Sequence, residues 1–485
     1  MKSLYEQSLF TKEKLAEIFN HSADIHIKSI PVRHTPKGEL IIIFCRPIVN
    51  IKLVHSLVIP YLMDEERESE KLYNYIQSDY SLKAKLTKEE LINQVFCGKL
   101  AVISNFRERI YYYDVKEEPN RQPEESVIEV SVTGPKDGFI ENIDTNLGLV
   151  RKRLKTPSFV NEEFVIGRRS NTRVALLYIK DVMNEQVIND VREKLNNIDV
   201  DILQSRDELE ELLVDNKFSL LPLTNFSGRP DFVVESLNQG RFSIIIDGAP
   251  TVIIAPINLS FLVKTAEDSN ISFYYSSVER MIRLLSLFLT VFLPGFYTAL
   301  VMHNVGQLPL PFIATITIAK MGLPFSTLLE MITIFIMFEL FKEAGARLPK
   351  GIGQTVAVIG GLIIGDAAIR AGITSPTLLI VVGITAIAGF TLVNASLTGN
   401  VFFLRIAVLL ISYAFGIFGF ILSLICVFIH LSTLKSFGMP FLTLARQRKW
   451  SEELKMFITL PFSLQKKRNL SYGVKDKTRK NSDND

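Results

Sequence analysis

Cysteine is nearly missing from this chain: 485 residues hold three, Cys45, Cys97 and Cys426, far apart and without metal or redox spacing. So few, so scattered, exclude a disulfide framework and leave them to read as small buried apolar residues. Histidine is scarce too, six in all, and none fall at ligand spacing; His21 and His26, five apart, do not share a helix face. The first residues, MKSLYEQSLFTKEK, lack the apolar core of a secretory leader, so the amino-terminal body is expected to stay in the cytoplasm. No phosphate loop, GxSxG or HExxH occurs. The chain is therefore expected to be no enzyme, to hold no cofactor or metal, and to bind no nucleic acid.

Long apolar runs are absent from about the first 280 residues and dominate the next 150. Met281–Met302 carries one full charge, Arg283, and at about 1.5 Å per residue it is long enough to cross about 30 Å of hydrocarbon. Further runs lie at Leu328–Phe341, Ile352–Ala371, Thr377–Val393 and Ile406–Leu431. Phe312–Leu323, set between Pro309, Pro311 and Pro324 and carrying Lys320, suits a re-entrant or broken segment. A hydrophobic content of 48% and a mean hydropathy of +0.23 fit a polar half averaged with an apolar one.

From Leu431 to the end, twelve Lys and Arg stand against five Asp and Glu, which places the tail in the cytoplasm by the positive-inside rule. Anionic-lipid contact is one reading of that tail; a topology signal with a disordered end is the other. Both ends inside require an even number of crossings, whereas five clear runs are odd. Either Phe312–Leu323 is a sixth crossing, or one clear run dips and returns. Lys342, Arg347 and Lys350 favour a cytoplasmic loop at 342–351.

The expected organisation is an N-terminal α/β lobe (1–116), a linker (117–126), a second α/β lobe (127–280), a polytopic helical membrane domain of four to six spans plus a re-entrant segment (281–433), and a basic cytoplasmic tail (434–485). In the second lobe Val174–Ile179, Glu185–Leu195 and Val200–Leu203 read as strand, helix, strand. Each lobe carries a helix ending at glycine before a strand pair: EELINQVF leads to Gly98 and KLAVIS, DFVVESLN to Gly240 and RFSIII. Duplication and convergence both account for this. The basic run Arg151, Lys152, Arg153, Lys155 reads as a solvated face or a contact with the anionic leaflet.

Ionisable groups inside apolar runs mark function, because each is expensive in lipid unless paired or hydrated. Four stand out: Glu330, Glu339, Asp366 and Arg370. Glu330 and Glu339 are nine residues apart and fall on opposite sides of one helix, and Glu339 is near enough to its end to snorkel. In the third run, Gly361 and Gly365 form a GxxxG for close helix packing. Ile359, Leu362, Asp366 and Arg370 lie on another stripe. Copies assembled about that helix would make Asp366 a carboxylate ring for cations, with Ile359 and Leu362 as a hydrophobic gate. At i and i+4, Asp366 and Arg370 can equally neutralise each other.

Four blocks resemble the A subunit of the spore nutrient germinant receptors, the GerA family: SVTGPKDGFIENIDTNLGLVRKRLK, GRPDFVVESLNQGRFSIIIDGAPTVIIAP, FELFKEAGARLPKGIGQTVAVIGGLIIGDAAIRAGITSP and HLSTLKSFGMPFL. The resemblance runs from about Val130 to Leu444. It implies a multi-pass protein of the spore inner membrane that acts with a transporter-like B subunit and a lipoprotein C subunit. It also implies assembly into a homo-oligomer, a nutrient-gated channel for monovalent cations embedded in membrane lipid. Where that family is expected to carry glutamine and an acid, this chain has Asp366 and Arg370. Rival readings are a non-conducting scaffold subunit and a secondary transporter, the latter opposed by the lack of an evident inverted repeat.

Overall fold

The structure is a computed structural model that describes residues 12–19, 22–31, 39–59, 78–82, 88–104, 109–117, 133–217, 219–347, 365–392, 394–442, 459, 461, 465, 468 and 473–479. The expected linker lies almost wholly outside them.

The first lobe is an antiparallel sheet of β1 (Ile25–Pro31), β2 (Glu39–Cys45), β3 (Ser78–Leu82), β4 (Lys99–Ser104) and β5 (Arg109–Asp114) in the order β1-β2-β4-β5-β3, with helices α1 (Lys12–Ile18) and α2 (Lys88–Phe96). The β2 sequence ELIIIFC is apolar at consecutive positions, and Leu40 to Cys45 are all buried, as a strand covered on both faces requires. In α2 the buried Leu91, Ile92, Val95 and Phe96 recur at helical spacing.

The second lobe contains α3 (Ile143–Arg153), β6 (Phe159–Ile166), β7 (Thr172–Ile179), α4 (Glu185–Asn196), α5 (Arg206–Leu213), β8 (Asn225–Ser227), α6 (Pro230–Asn238), β9 (Phe242–Ile246) and β10 (Val252–Ala255). Its sheet is antiparallel in the order β6-β7-β9-β10-β8. Counted within each lobe, both sheets run first, second, fourth, fifth, third. Both place a helix before the fourth strand and end it at a glycine of positive φ, 89° at Gly98 and 85° at Gly240. The topology therefore extends the two short sequence matches to whole lobes. One expected strand differs: Val200–Leu203 joins no sheet, because its backbone is engaged by the 167–170 turn, through Arg168 N–H to Val200 O and Arg169 N–H to Asp201 O.

The lobes meet at Arg151 on α3. Its guanidinium is fully buried, 2.6 Å from Asp24 at the start of the first sheet, and lies over the rings of Phe96 (4.6 Å) and Phe159 (4.3 Å). Arg153 forks onto Asp137. Arg151 is thus an internal tie and Arg153 a partly buried one, which corrects the reading of the basic run at these two positions, whereas Lys152 and Lys155 are exposed as a solvated face requires. Cys45 is buried as expected, but Cys97 and Cys426 are exposed.

The helical domain comprises α7 (Phe273–His303), α8 (Leu310–Lys320), α9 (Thr327–Arg347), a helical stretch at 365–370, α10 (Pro376–Phe390) and α11 (Ala395–Thr433). Among the described residues two helices, Phe273–His303 and Ser396–Thr433, are long and apolar enough to cross a membrane. α7 begins eight residues before the first apolar run, and Ser276 in that extension is buried. α8, with 11 residues, is about 16 Å long at ~1.5 Å per residue and is too short to cross.

α11 is a hairpin. Gly416 has φ 61° and ψ −143°, and a Cβ on Gly419 would stand 2.4 Å from the carbonyl oxygen of Ile411, eight residues back. In a straight helix those positions would be about 12 Å apart along the axis. Both ends return to the second lobe: Asn394 Nδ2 donates to Asn225 Oδ1 (2.5 Å), and Ser436 Oγ donates to Leu223 O (2.7 Å). The tip meets the end of α7, where His303 Nε2 donates to Tyr413 O (2.6 Å) and Asn304 Oδ1 accepts from Ile417 N–H (3.2 Å). Those two side chains supply partners for the backbone groups that a helix break releases, a need that is acute in an apolar medium.

After α11, β11 (Lys435–Ser436) and β12 (Met439–Pro440) form a short hairpin, and Phe441 is buried in a core shared with Phe261 of the second lobe and Val291 of α7. Further tail residues pack back. Thr459 hydrogen-bonds Ser276 and Ser277 at the base of α7, Lys475 N–H donates to Val182 O, and Val474 is buried against Gly240. The described residues of the tail thus pack against the second lobe and α7, and the disordered end expected from its charge lies outside the described residues.

Candidate functional site: polar groups inside the helical domain

Glu330 sits in the first turn of α9 and is 1% exposed. Its Oε2 accepts the backbone N–H of Ser375, the N-cap of α10, whose own Oγ accepts from Leu378 N–H. The carboxylate is thus seated on the positive end of a 15-residue helix. Around it lie Thr327, whose Oγ1 receives the Lys320 ammonium, and Tyr297 of α7, whose hydroxyl is 3.0 Å from Thr377 Oγ1. Thr374 Oγ1 is buried with no hydrogen-bond partner. Donors dominate this cluster, so Glu330 balances positive potential; it does not present a free negative charge.

Asp366 and Arg370 form an ion pair at 2.8 Å, with side chains 58% and 79% exposed on the surface of an otherwise apolar domain. Gly365 beside them approaches α10 closely: a Cβ there would lie 3.3 Å from Leu379 Cδ2. Ile359, Gly361 and Leu362 lie outside the described residues. The structure thus brings Glu330 to the head of α10 by way of Ser375 and leaves Asp366 and Arg370 on an open face, so these three do not form one cluster. Glu339 is paired with Lys342 (2.6 Å), and both are partly exposed, in keeping with a snorkelling carboxylate.

Two charged features escaped the reading of the runs. Arg405 opens the fifth run, just outside the boundary drawn for it, yet only 8% of it is exposed; it lies over the Phe335 ring (4.3 Å). At the base of α7, Asp268 receives Arg280 (2.7 Å) and Arg283 (2.8 Å), all three nearly buried. Burial works to raise the Asp268 carboxyl, but the two guanidinium groups outweigh it and hold it below the usual carboxylate range. Arg283 was visible as the lone charge of the first run, but its partner lies 15 residues upstream, in the 3-10 turn at Ala266–Ser269. Among the described residues no three His, Cys, Asp or Glu side chains group as metal ligands.

Residues 13–471 match the family model described as Bacillus/Clostridium GerA spore germination protein. Spore germination protein XA of Bacillus anthracis is 38% identical over 457 residues, 93% of each chain. An uncharacterized membrane protein, YfkQ, of Bacillus subtilis (strain 168) is 31% identical over 406 residues, covering 83% of this chain and 79% of that one. Among solved structures, the N-terminal domain of the A subunit of the Bacillus megaterium spore germinant receptor GerK3 is 26% identical, with a TM-score of 0.37 over 50% of this chain and 93% of that domain. The chain belongs to the GerA family of spore germination proteins, with a role in spore germination.

Proposed function

We propose that this chain is the membrane subunit of a nutrient germinant receptor and that copies of it assemble in the spore inner membrane into a ligand-gated path for monovalent cations. The observation that carries this reading is the exposed Asp366–Arg370 pair on a helical domain whose other exposed side chains include Phe403, Phe415, Phe418 and Ile421. A charged pair facing hydrocarbon is expensive, so its open side belongs against water or against another copy, and a shared axis supplies both. Asp366 then attracts cations at the mouth; Ile359 and Leu362, the gate expected from the sequence, lie outside the described residues. Glu330 has the weaker claim to the pore because its charge is committed to the head of α10.

The hairpin in α11 supports a topology with both lobes and the tail in the cytoplasm. Counting it as two crossings brings the five apolar runs to six crossings, an even total. Following the resemblance, a transporter-like B subunit carries the nutrient pocket, a lipoprotein C subunit completes the receptor, and the lobes pass the partner's state to the helices through the shared core.

Potassium flux from liposomes holding the purified full chain, alone and with its partners, tests this. Ligand-dependent flux that falls in Asp366→Asn is the expected result. Flux that is intact in Asp366→Asn returns that residue to mere pairing with Arg370. Absence of flux under every combination leaves the scaffold reading, and saturable substrate exchange the transporter reading.

A further inference from the structure

Arg405 lies in the outgoing leg of the α11 hairpin, 92% buried, with Nε unpartnered and with no ion pair among the described residues. Its contacts are ring faces, Phe335 of α9 at 4.3 Å and Phe402 of its own helix at 5.1 Å. Aromatic faces stabilise a guanidinium only in part, and its buried Nε–H has no acceptor. Glu339 stands four residues after Phe335 on α9, one turn along on the same face of the helix that Arg405 covers. Glu339 is held instead by Lys342, three residues on along its own helix, in a pair with side chains 40% and 37% exposed. A half-exposed pair of that kind is weak, so the acid sits in the cheaper of two contacts while the more demanding cation beside it goes without.

We propose that Glu339 is an exchangeable partner: Lys342 holds it in the arrangement seen here, and Arg405 holds it in a second arrangement of α9 against α11. The two states keep the same charges and differ in which cation the carboxylate serves. Such an exchange needs a sliding of α9 along the hairpin by about one helical turn, ~5.4 Å. Because α11 returns to the second lobe at both ends, that sliding is coupled to the soluble body.

Spin labels at Leu340 and Phe403, both exposed side chains, report the separation of α9 and α11 by pulsed electron resonance of the full chain in nanodiscs. This readout needs no ion flux, so it stands or falls apart from the conduction proposal. Lys342→Gln removes the competing cation and is expected to raise a second distance population. Lys342→Gln with Arg405→Gln is expected to lose that population. The reversal Glu339→Arg with Arg405→Glu, in the Lys342→Gln background, is expected to restore it. A distance distribution in Lys342→Gln that matches the parent overturns the proposal. So does a second population that persists when Arg405 is Gln. Should the Arg405 variants fail to fold, the Lys342→Gln comparison alone still decides it.

Discussion

The two lobes share a strand order and a glycine-ended helix, yet they are stabilised differently. The first closes its own core, with Leu15, Ile42, Ile43, Val95 and Tyr112 buried together, and among the described residues its charged links to the rest are the buried pair Arg151–Asp24 and the partly exposed pair Arg46–Asp144. The second closes one such core, where α4 and α5 cover one sheet face with Val174, Leu176, Val191 and Leu209, but it leaves the other face to be shared. Its α3, α6 and sheet pack in one continuous cluster with Val291 and Phe292 of α7, Leu397 and Val401 of α11, and Phe441 and Val474 beyond it. A repeated topology thus serves once as a separate module and once as the foundation of a helical domain. What distinguishes them is which faces stay apolar after folding, a property of side chains and not of strand order.

That contrast can be broken most directly in the cores. Ile43→Ala should destabilise the first lobe by about 2–5 kcal/mol and lower its own unfolding transition alone, whereas Ile245→Ala, of similar local cost, should carry the helical domain down with it. Hydrogen exchange of the full chain in detergent separates the two; a joint transition in both variants would show the lobes to be one unit. The link between lobes comes next. Arg151→Met leaves Asp24 buried without its cation and should cost about 3–5 kcal/mol, while the double change with Asp24→Leu should recover much of it, as thermal unfolding would register.

Smaller is the effect of the hairpin tip. Gly416→Ala forces a β-carbon into a positive-φ site 2.8 Å from His303 Cβ, at about 1–3 kcal/mol, and should loosen the contact of α11 with α7 as judged by cysteine accessibility near Tyr413. The gentlest probe is pH. Asp268 has a folded value held below its unfolded one, so its contribution is complete above about pH 4 and is lost as pH falls through the folded value. The acid limb of the melting curve should therefore flatten in Asp268→Asn, and an unchanged limb would remove this joint between lobe and α7 from the comparison.

Much of this was legible beforehand where local chemistry speaks alone. Apolar runs located α7, α9, α10 and α11, and the glycines after Phe96 and Asn238 marked both helix ends, because neither signal depends on distant partners. The charges were harder. Arg151 reads as part of a basic run, and only the approach of Asp24, 127 residues away, makes it an internal tie. Arg405 fell outside the drawn span, since hydropathy does not record that Phe335 from another helix would cover it. Glu330 was recognised as a buried acid, but the helix end that holds it belongs to residue 375.

From its residues alone the chain settled its division into a polar and an apolar half, its family blocks and the ends of several elements, since these follow from composition and short-range periodicity. The folded arrangement decided which charges are bound, which stand open, and that the last apolar run turns back at Gly416 to the lobe it left. A reversal in a continuous hydrophobic stretch leaves hydropathy unchanged; it exists because His303 and Asn304, more than a hundred residues earlier, meet the backbone groups exposed at the turn.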